Sequence, residues 1–262
     1  MDVTRLLYDT ENNLRSYIDL VFAHEFGSNW YYEMRIPKKR LQVWEINRIP
    51  NELEPNAIKG KEKLIQYAPF EDIIWILKRK WNATLQKTFG DFEHLEVYLK
   101  IMQDYRNPES RRRELLTYQK HLILGVAGEI NARITRARSV HELGNPGYPR
   151  IHSVKDSFGN LWTAGSPKRI KTNMALRTGD KLEFNITASD PEERELKYKI
   201  QSASNLNLKW QSSHVLLLEI TRKMIGKAKV FNIIVKNDNK YHAYQSGYDD
   251  RVSFEYDILP FT

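Results

Sequence analysis

The sequence predicts an α+β protein built as two separate domains, an all-α helical bundle over residues 1–143 and an antiparallel β-sandwich over residues 151–262. Three observations predict it. Apolar residues recur at three- and four-residue spacing through the first half. Beyond residue 150 the period becomes two. Between the halves lies Leu143-Gly144-Asn145-Pro146-Gly147-Tyr148-Pro149-Arg150, whose two glycines, two prolines and one asparagine mark residues 144–150 as a linker.

The elements follow in order. Leu6, Leu7, Leu14, Tyr17, Ile18, Val21 and Phe22 define the first amphipathic helix. A second begins near Ile36, and Pro50 to Gly60 reads as loop. Pro69 is expected in the first turn of a helix carrying Phe70, Ile73, Ile74, Ile76 and Leu77. Asp91 to Tyr105 forms another, on Phe92, Leu95, Val97, Tyr98, Leu99, Ile101 and Met102. Thr117 caps a long last helix to about Ala137, with Leu122, Ile123, Val126, Ile130 and Ile134 as its stripe. In the second half, Leu182/Phe184/Ile186, Leu196/Tyr198/Ile200, Val215–Ile220, Val230–Val235 and Val252–Leu259 read as strands. Turn clusters separate them, among them Thr178-Gly179-Asp180, Ser189-Asp190-Pro191 and Lys236-Asn237-Asp238-Asn239.

Composition bounds the chemistry. An apolar fraction of 41% with 11% aromatics can build a core. No window holds the roughly 18 apolar residues needed to cross a bilayer, and Met1-Asp2-Val3-Thr4-Arg5 lacks the apolar core of a signal peptide. Cysteine is absent, which excludes disulfides and thiolate metal sites and fits a cytoplasmic protein. The net charge is +8, shared evenly: 24 Lys+Arg against 20 Asp+Glu to residue 150, and 17 against 13 after it. That balance permits a polyanionic partner such as RNA without requiring one. No cofactor motif occurs, and neither a phosphate loop nor a zinc pattern.

The segment Asp104-Tyr105-Arg106-Asn107-Pro108-Glu109-Ser110-Arg111-Arg112-Arg113 carries the most chemistry. Asn107 reads as an N-cap and Pro108 as the first residue of a new helix, so Arg106 sits at a helix-to-helix break. Such a break can present a guanidinium at a fixed angle; equally, Arg106 can cap the preceding helix and pair with an acid. Arg111, Arg112 and Arg113 form either a phosphate-binding surface or a solvated face paired with Glu109 and Glu114. Lys38, Lys39 and Arg40 form a second basic cluster with candidate nucleic-acid contacts. Lys78-Arg79-Lys80-Trp81 is a third, its tryptophan more in keeping with the core.

Tyr67-Ala68-Pro69-Phe70-Glu71-Asp72-Ile73-Ile74, Trp81, Arg106-Asn107-Pro108, Leu116-Thr117 and Gly125-Val126-Ala127-Gly128-Glu129-Ile130 occur in this order. Together they resemble the HEPN superfamily over roughly residues 1–140, in the branch attached to a nuclear mRNA-surveillance endoribonuclease and common in bacterial conflict systems. The resemblance implies a helical homodimer that brings two Arg-Asn-x-x-x-His motifs to one cleft. It also implies metal-independent RNA cleavage in antiviral defence or toxin–antitoxin systems. Arg106 and Asn107 match the motif's Arg and Asn, and Arg111 stands where the His is expected. A guanidinium neither accepts a proton nor readily gives one up. Loss of one acid–base group costs about 10²–10⁴ in rate, so the chain is expected to be weak or inactive as a nuclease. Natural loss and an inactivating replacement both account for Arg111. A substitute His would have to come from His121, His24 or His94. The alternative reading is a non-catalytic dimer that binds nucleic acid or protein.

Gly179-Asp180 to Asp190-Pro191 resembles a strand and turn of bacterial immunoglobulin-like or cadherin-like domains. Relatives of that kind bind calcium between repeated domains. Here Asp190, Asp249 and Asp250 are scattered without a repeat, and they read as turn residues with no metal site. Trp162, Trp210, Tyr241, His242, Tyr244 and Tyr248 form either a recognition surface for a protein partner or sensor ligand, or core.

Overall fold

A computed structural model describes residues 3–53, 63–106, 115–202 and 208–260. Helices fill the N-terminal half and two sheets the C-terminal half. Two compact units divide between residues 137 and 138. Among the described residues no helix is long and apolar enough to cross a membrane.

In the helical unit α1 spans Val3–Phe26, α2 Trp30–Glu33 and α3 Lys38–Leu53. A 3₁₀ turn at Leu64–Tyr67 precedes α4 (Phe70–Arg79), α5 (Ala83–Phe89), α6 (Phe92–Arg106) and α7 (Thr117–Leu143). The apolar stripe of α1 is buried at Leu7, Leu14, Tyr17, Ile18, Val21 and Phe22, and that of α7 at Ile123, Val126, Ile130 and Ile134. Three boundaries differ from the sequence reading. α3 runs past Pro50 to Leu53; the proline's fixed φ fits the helix, and its cost, one lost backbone bond and crowding of the preceding turn, falls near the helix end. Pro69 is the N-cap, one residue ahead of α4, and its ψ of 152° is extended. α5 was not anticipated; Asn82 caps it by accepting from Leu85 N at 2.9 Å, and Gly90 ends it at φ +78°.

α1 buries charge along its apolar stripe. Glu11, Arg15 and Asp19 recur at i, i+4 and i+8, and each is 5% exposed or less. Each finds a partner, as burial demands. Trp30 Nε1 donates to Asp19 at 3.0 Å, and Lys63 also pairs with Asp19. Asp72, buried on α4, likewise accepts from Trp44 Nε1 at 2.6 Å and pairs with Arg40. α7 is tied to α1 through Asn131, which donates to Thr10 Oγ1 and accepts from Asn13 Nδ2, both at 2.8 Å.

The β unit has strands β1 Arg150–Asp156, β2 Leu161–Thr163, β3 Arg169–Arg177, β4 Lys181–Ser189, β5 Lys197–Ser202, β6 Val215–Glu219, β7 Gly226–Lys236 and β8 Asp250–Leu259. One sheet has the order β2-β1-β4-β6 and the other β3-β8-β7-β5. Both feed one hydrophobic core, where Phe184 of β4 meets Phe254 of β8 edge-on at 5.2 Å. The expectation of purely antiparallel strands is corrected: β3 pairs with β8 in parallel, so the second sheet is mixed. β1, β2 and β3 were not anticipated. The division at 137/138 precedes the predicted linker, because Arg138 and Ser139 bond onward to Ile151 O and Asn145 O. Arg150, assigned to that linker by sequence, opens β1 and is 1% exposed.

Candidate functional site

The one described member of the Arg-Asn motif is Arg106, the last residue of α6. Its Nε lies 2.7 Å from Glu11 Oε2 on α1. Glu11 Oε1 is taken by Arg15, whose Nε and Nη2 donate to Ala68 O at 3.0 and 2.6 Å. Arg106 Cζ also stands 5.7 Å from the centre of the Phe70 ring. Two guanidinium groups therefore share one buried carboxylate. Arg15 is the buried member; burial lowers its pKa, and Glu11 opposes that shift. The Arg106 side chain is 37% exposed, so it is partly open to solvent.

The remaining predicted positions are dispersed. Asn107, Arg111, Arg112 and Arg113 lie outside the described residues. Lys38 and Lys39 are exposed in the first turn of α3, whereas Arg40 is engaged by Asp72 and stacks over Trp75 at 4.7 Å. Lys78 pairs with Glu96 at 2.7 Å, and Trp81 packs against Phe89 and Phe92 at the edge of the core. His24, His94 and His121 are all exposed.

In the β unit, sequence reading missed a buried ionic network. Arg150 Nη1 donates to Asp249 O at 3.1 Å and lies 3.4 Å from Asp250 Oδ1. Lys168 Nζ donates to the same Asp250 oxygen at 2.7 Å, and Ile151 N to the other at 2.9 Å. Burial alone would raise the Asp250 carboxyl, but Lys168, Arg150 and Arg138 outweigh it and hold it below its ordinary value. Glu142 completes the set, 3.1 Å from Arg138 Nη2 and 3.5 Å from Arg150 Nη2.

His152 and Ser189 lie 2.5 Å apart, a spacing that suggests a nucleophile and its base. The second ring nitrogen excludes this role. His152 Nδ1 faces Arg138 Nη1 at 3.0 Å, and a guanidinium can only donate. Nδ1 is therefore the acceptor, so Nε2 carries the proton and donates to Ser189 Oγ. The tautomer is the reverse of the one a general base needs. Burial, then Arg138, holds His152 well below its ordinary pKa, which keeps the ring neutral.

This pair predicts acid lability. The unfolded chain takes up a proton at His152 near pH 6.5 and the folded unit does not, so stability falls as pH drops below that value. Asp250 adds to the fall further down: its contribution is present above the ordinary carboxylate value and is lost as pH falls through its lowered folded value. The urea midpoint of the β unit is expected to drop between pH 7 and pH 5, and His152→Gln to flatten that slope. A parent-like slope in the variant would refute the assignment.

The three scattered aspartates are each engaged by hydrogen bonds within the β unit. Asp190 accepts from Glu192 N and Arg194 Nε, both at 2.9 Å, and from Asn237 Nδ2 at 2.8 Å. Asp249 accepts from Ala243 N at 2.9 Å and faces His242 Nδ1 at 3.1 Å. Among the described residues no group of three His, Asp or Glu side chains is arranged to hold a metal ion. Of the aromatics, Trp162 and Tyr248 are buried, Tyr241 is exposed, and Trp210 is half-buried.

No family model matches the chain, and no curated protein matches it. Among solved structures, the chain is similar to a nucleoside hydrolase-related hypothetical protein from Saccharophagus degradans that is associated with carbohydrate metabolism. The identity is 12% and the TM-score 0.29 over 54% of this chain. The chain spans 33% of that protein's length, and a likeness at this TM-score carries no argument about fold or activity.

Proposed function

We infer that this chain is a non-catalytic binding protein, with a HEPN-type helical unit followed by an immunoglobulin-like β-sandwich. The observation that carries the reading is the Arg106–Glu11 contact at 2.7 Å. In a HEPN-type ribonuclease the motif arginine stabilises charge that develops on the phosphate. Here that guanidinium neutralises a buried carboxylate it shares with Arg15. Moving it to a phosphate would leave Glu11 to Arg15 alone. Arg111 in place of the motif His removes the proton-transfer group as well. The two four-stranded sheets around one core support the sandwich reading, and the parallel β3–β8 pair is its departure from an all-antiparallel plan.

A weak ribonuclease acting in defence is the second reading. It is favoured by the 37% exposure of the Arg106 side chain, which leaves the residue partly open to solvent. Homodimerisation through the helical unit belongs to both readings, as does a protein partner or sensor ligand on the β unit. The test is incubation of single-stranded RNA with the protein in EDTA. No cleavage above buffer is expected. Cleavage that disappears in Arg106→Ala would establish the second reading.

A further inference from the structure

A groove of about 140 Å³ opens beside the edge strand β5. Leu208 and Leu217 form its accessible apolar wall over the buried Ile200 and Leu216, and Lys199, Lys209, Trp210 and Gln211 its rim. Among the described residues no carboxylate lines it. Trp210 is half-buried, with Lys236 Nζ 4.8 Å and Lys199 Nζ 6.0 Å from its ring centre. Neither lysine forms an ion pair among the described residues.

The register explains why these groups converge. Directly paired residues of an antiparallel ladder project from the same face. Lys199 is opposite Ile234 and Lys197 opposite Lys236, so Lys199 and Lys236 rise from one face of the sheet. Tyr198, Ile200, Ile233 and Val235 occupy the other face and fill the core. Arg251, opposite Ile234 on β8, and Arg169 and Lys171 on β3 extend the cationic face across the sheet. Arg169 and Lys171 pair with Glu255 yet keep side-chain exposures of 60% and 71%. Three strand spacings, roughly 14 Å, separate β5 from β3, the reach of two or three nucleotides.

We propose that the Trp210 groove and the cationic face beside it bind single-stranded nucleic acid, one base entering the groove against Trp210 and its phosphates meeting Lys199, Lys209 and Lys236. A base is flat and apolar on its faces, and its phosphate is anionic, so it uses both halves of the groove. Stacking on an aromatic ring with cations along the backbone is the general chemistry of sequence-tolerant single-strand binding. An acidic peptide would satisfy the lysines and leave the apolar slot unused. The site lies in the β unit and does not depend on the state of Arg106.

The test is fluorescence anisotropy of a fluorescein-labelled 12-mer oligouridylate, and of its oligothymidylate counterpart, with the full chain at 50 and 200 mM salt. Saturable binding that weakens with salt is expected. Trp210→Ala and the double variant Lys199→Glu/Lys236→Glu should each weaken it on the order of tenfold or more. Lys87→Glu, on α5 in the other unit, should leave it unchanged. Trp210→Phe, which keeps an aromatic ring, should fall between parent and Trp210→Ala, and it decides the matter if the alanine variant does not fold. Absence of binding at 50 mM salt, or parent-like binding by the folded variants, would overturn the proposal. So would displacement by polyglutamate as effective, charge for charge, as by unlabelled oligouridylate.

Discussion

Glu11→Ala should destabilise the helical unit by about 3–5 kcal/mol in urea unfolding, the range for removing one partner from a buried ion pair. Glu11 is 2% exposed and its carboxylate serves both Arg15 and Arg106. Without it Arg15, 5% exposed, keeps its bonds to Ala68 O and Asn12 Oδ1 but loses its countercharge. Burial already lowers the Arg15 pKa, so the variant leaves a poorly solvated cation in place. Arg106→Ala should cost far less, about 1 kcal/mol or below, because Arg15 still neutralises Glu11 and solvent screens the half-exposed Arg106. Equal losses from the two variants would show that Arg15 does not compensate.

Asp250→Ala should destabilise the β unit by a similar amount, again about 3–5 kcal/mol. The carboxylate is 1% exposed and accepts from Ile151 N, Arg251 N and Lys168 Nζ while facing Arg150. Arg150 is also 1% exposed; without Asp250 it keeps, among the described residues, only its bond to Asp249 O and the longer pairing with Glu142 at 3.5 Å. Asp250→Asn separates charge from hydrogen bonding. It keeps one acceptor oxygen, enough for one of the two backbone amides that bond different oxygens of Asp250, and its loss should be smaller than that of the alanine variant. If the two variants unfold at the same urea concentration, the charge is the whole effect.

Much of the fold was legible because burial imposes a period. The stripes of α1, α6 and α7 and the alternation in β4 to β8 could be read directly. α5 is only seven residues long, and its signal is the pair Asn82 and Gly90 at its ends. β3 is broken by Asn173 at φ +56°, where its register with β8 shifts, so no period of two survives in the sequence. β1 was hidden because its buried positions include Arg150, His152 and Asp156, which read as surface residues.

The candidate site was legible in part. Arg106 was singled out, and pairing with an acid was one of its two readings. The identity of that acid was not readable, since Glu11 is 95 positions earlier in the chain (106 minus 11) and brought near only by tertiary packing. A signal was present: Glu11, Arg15 and Asp19 lie four apart along the apolar stripe of α1, where an exposed helix would place them on the opposite face. Charges at core positions imply partners elsewhere, and those partners are Arg106, Ala68 O, Trp30 and Lys63.

In the proposed reading Arg106 rests against Glu11 in place of a phosphate, and the helical unit does not cleave RNA. The Arg111→His variant supplies a histidine at that position and is assayed on single-stranded RNA in EDTA, with its fold checked by circular dichroism. No cleavage above that of the parent is expected. A folded Arg111→His variant that cleaves RNA, with the activity abolished again by Arg106→Ala, would contradict that reading.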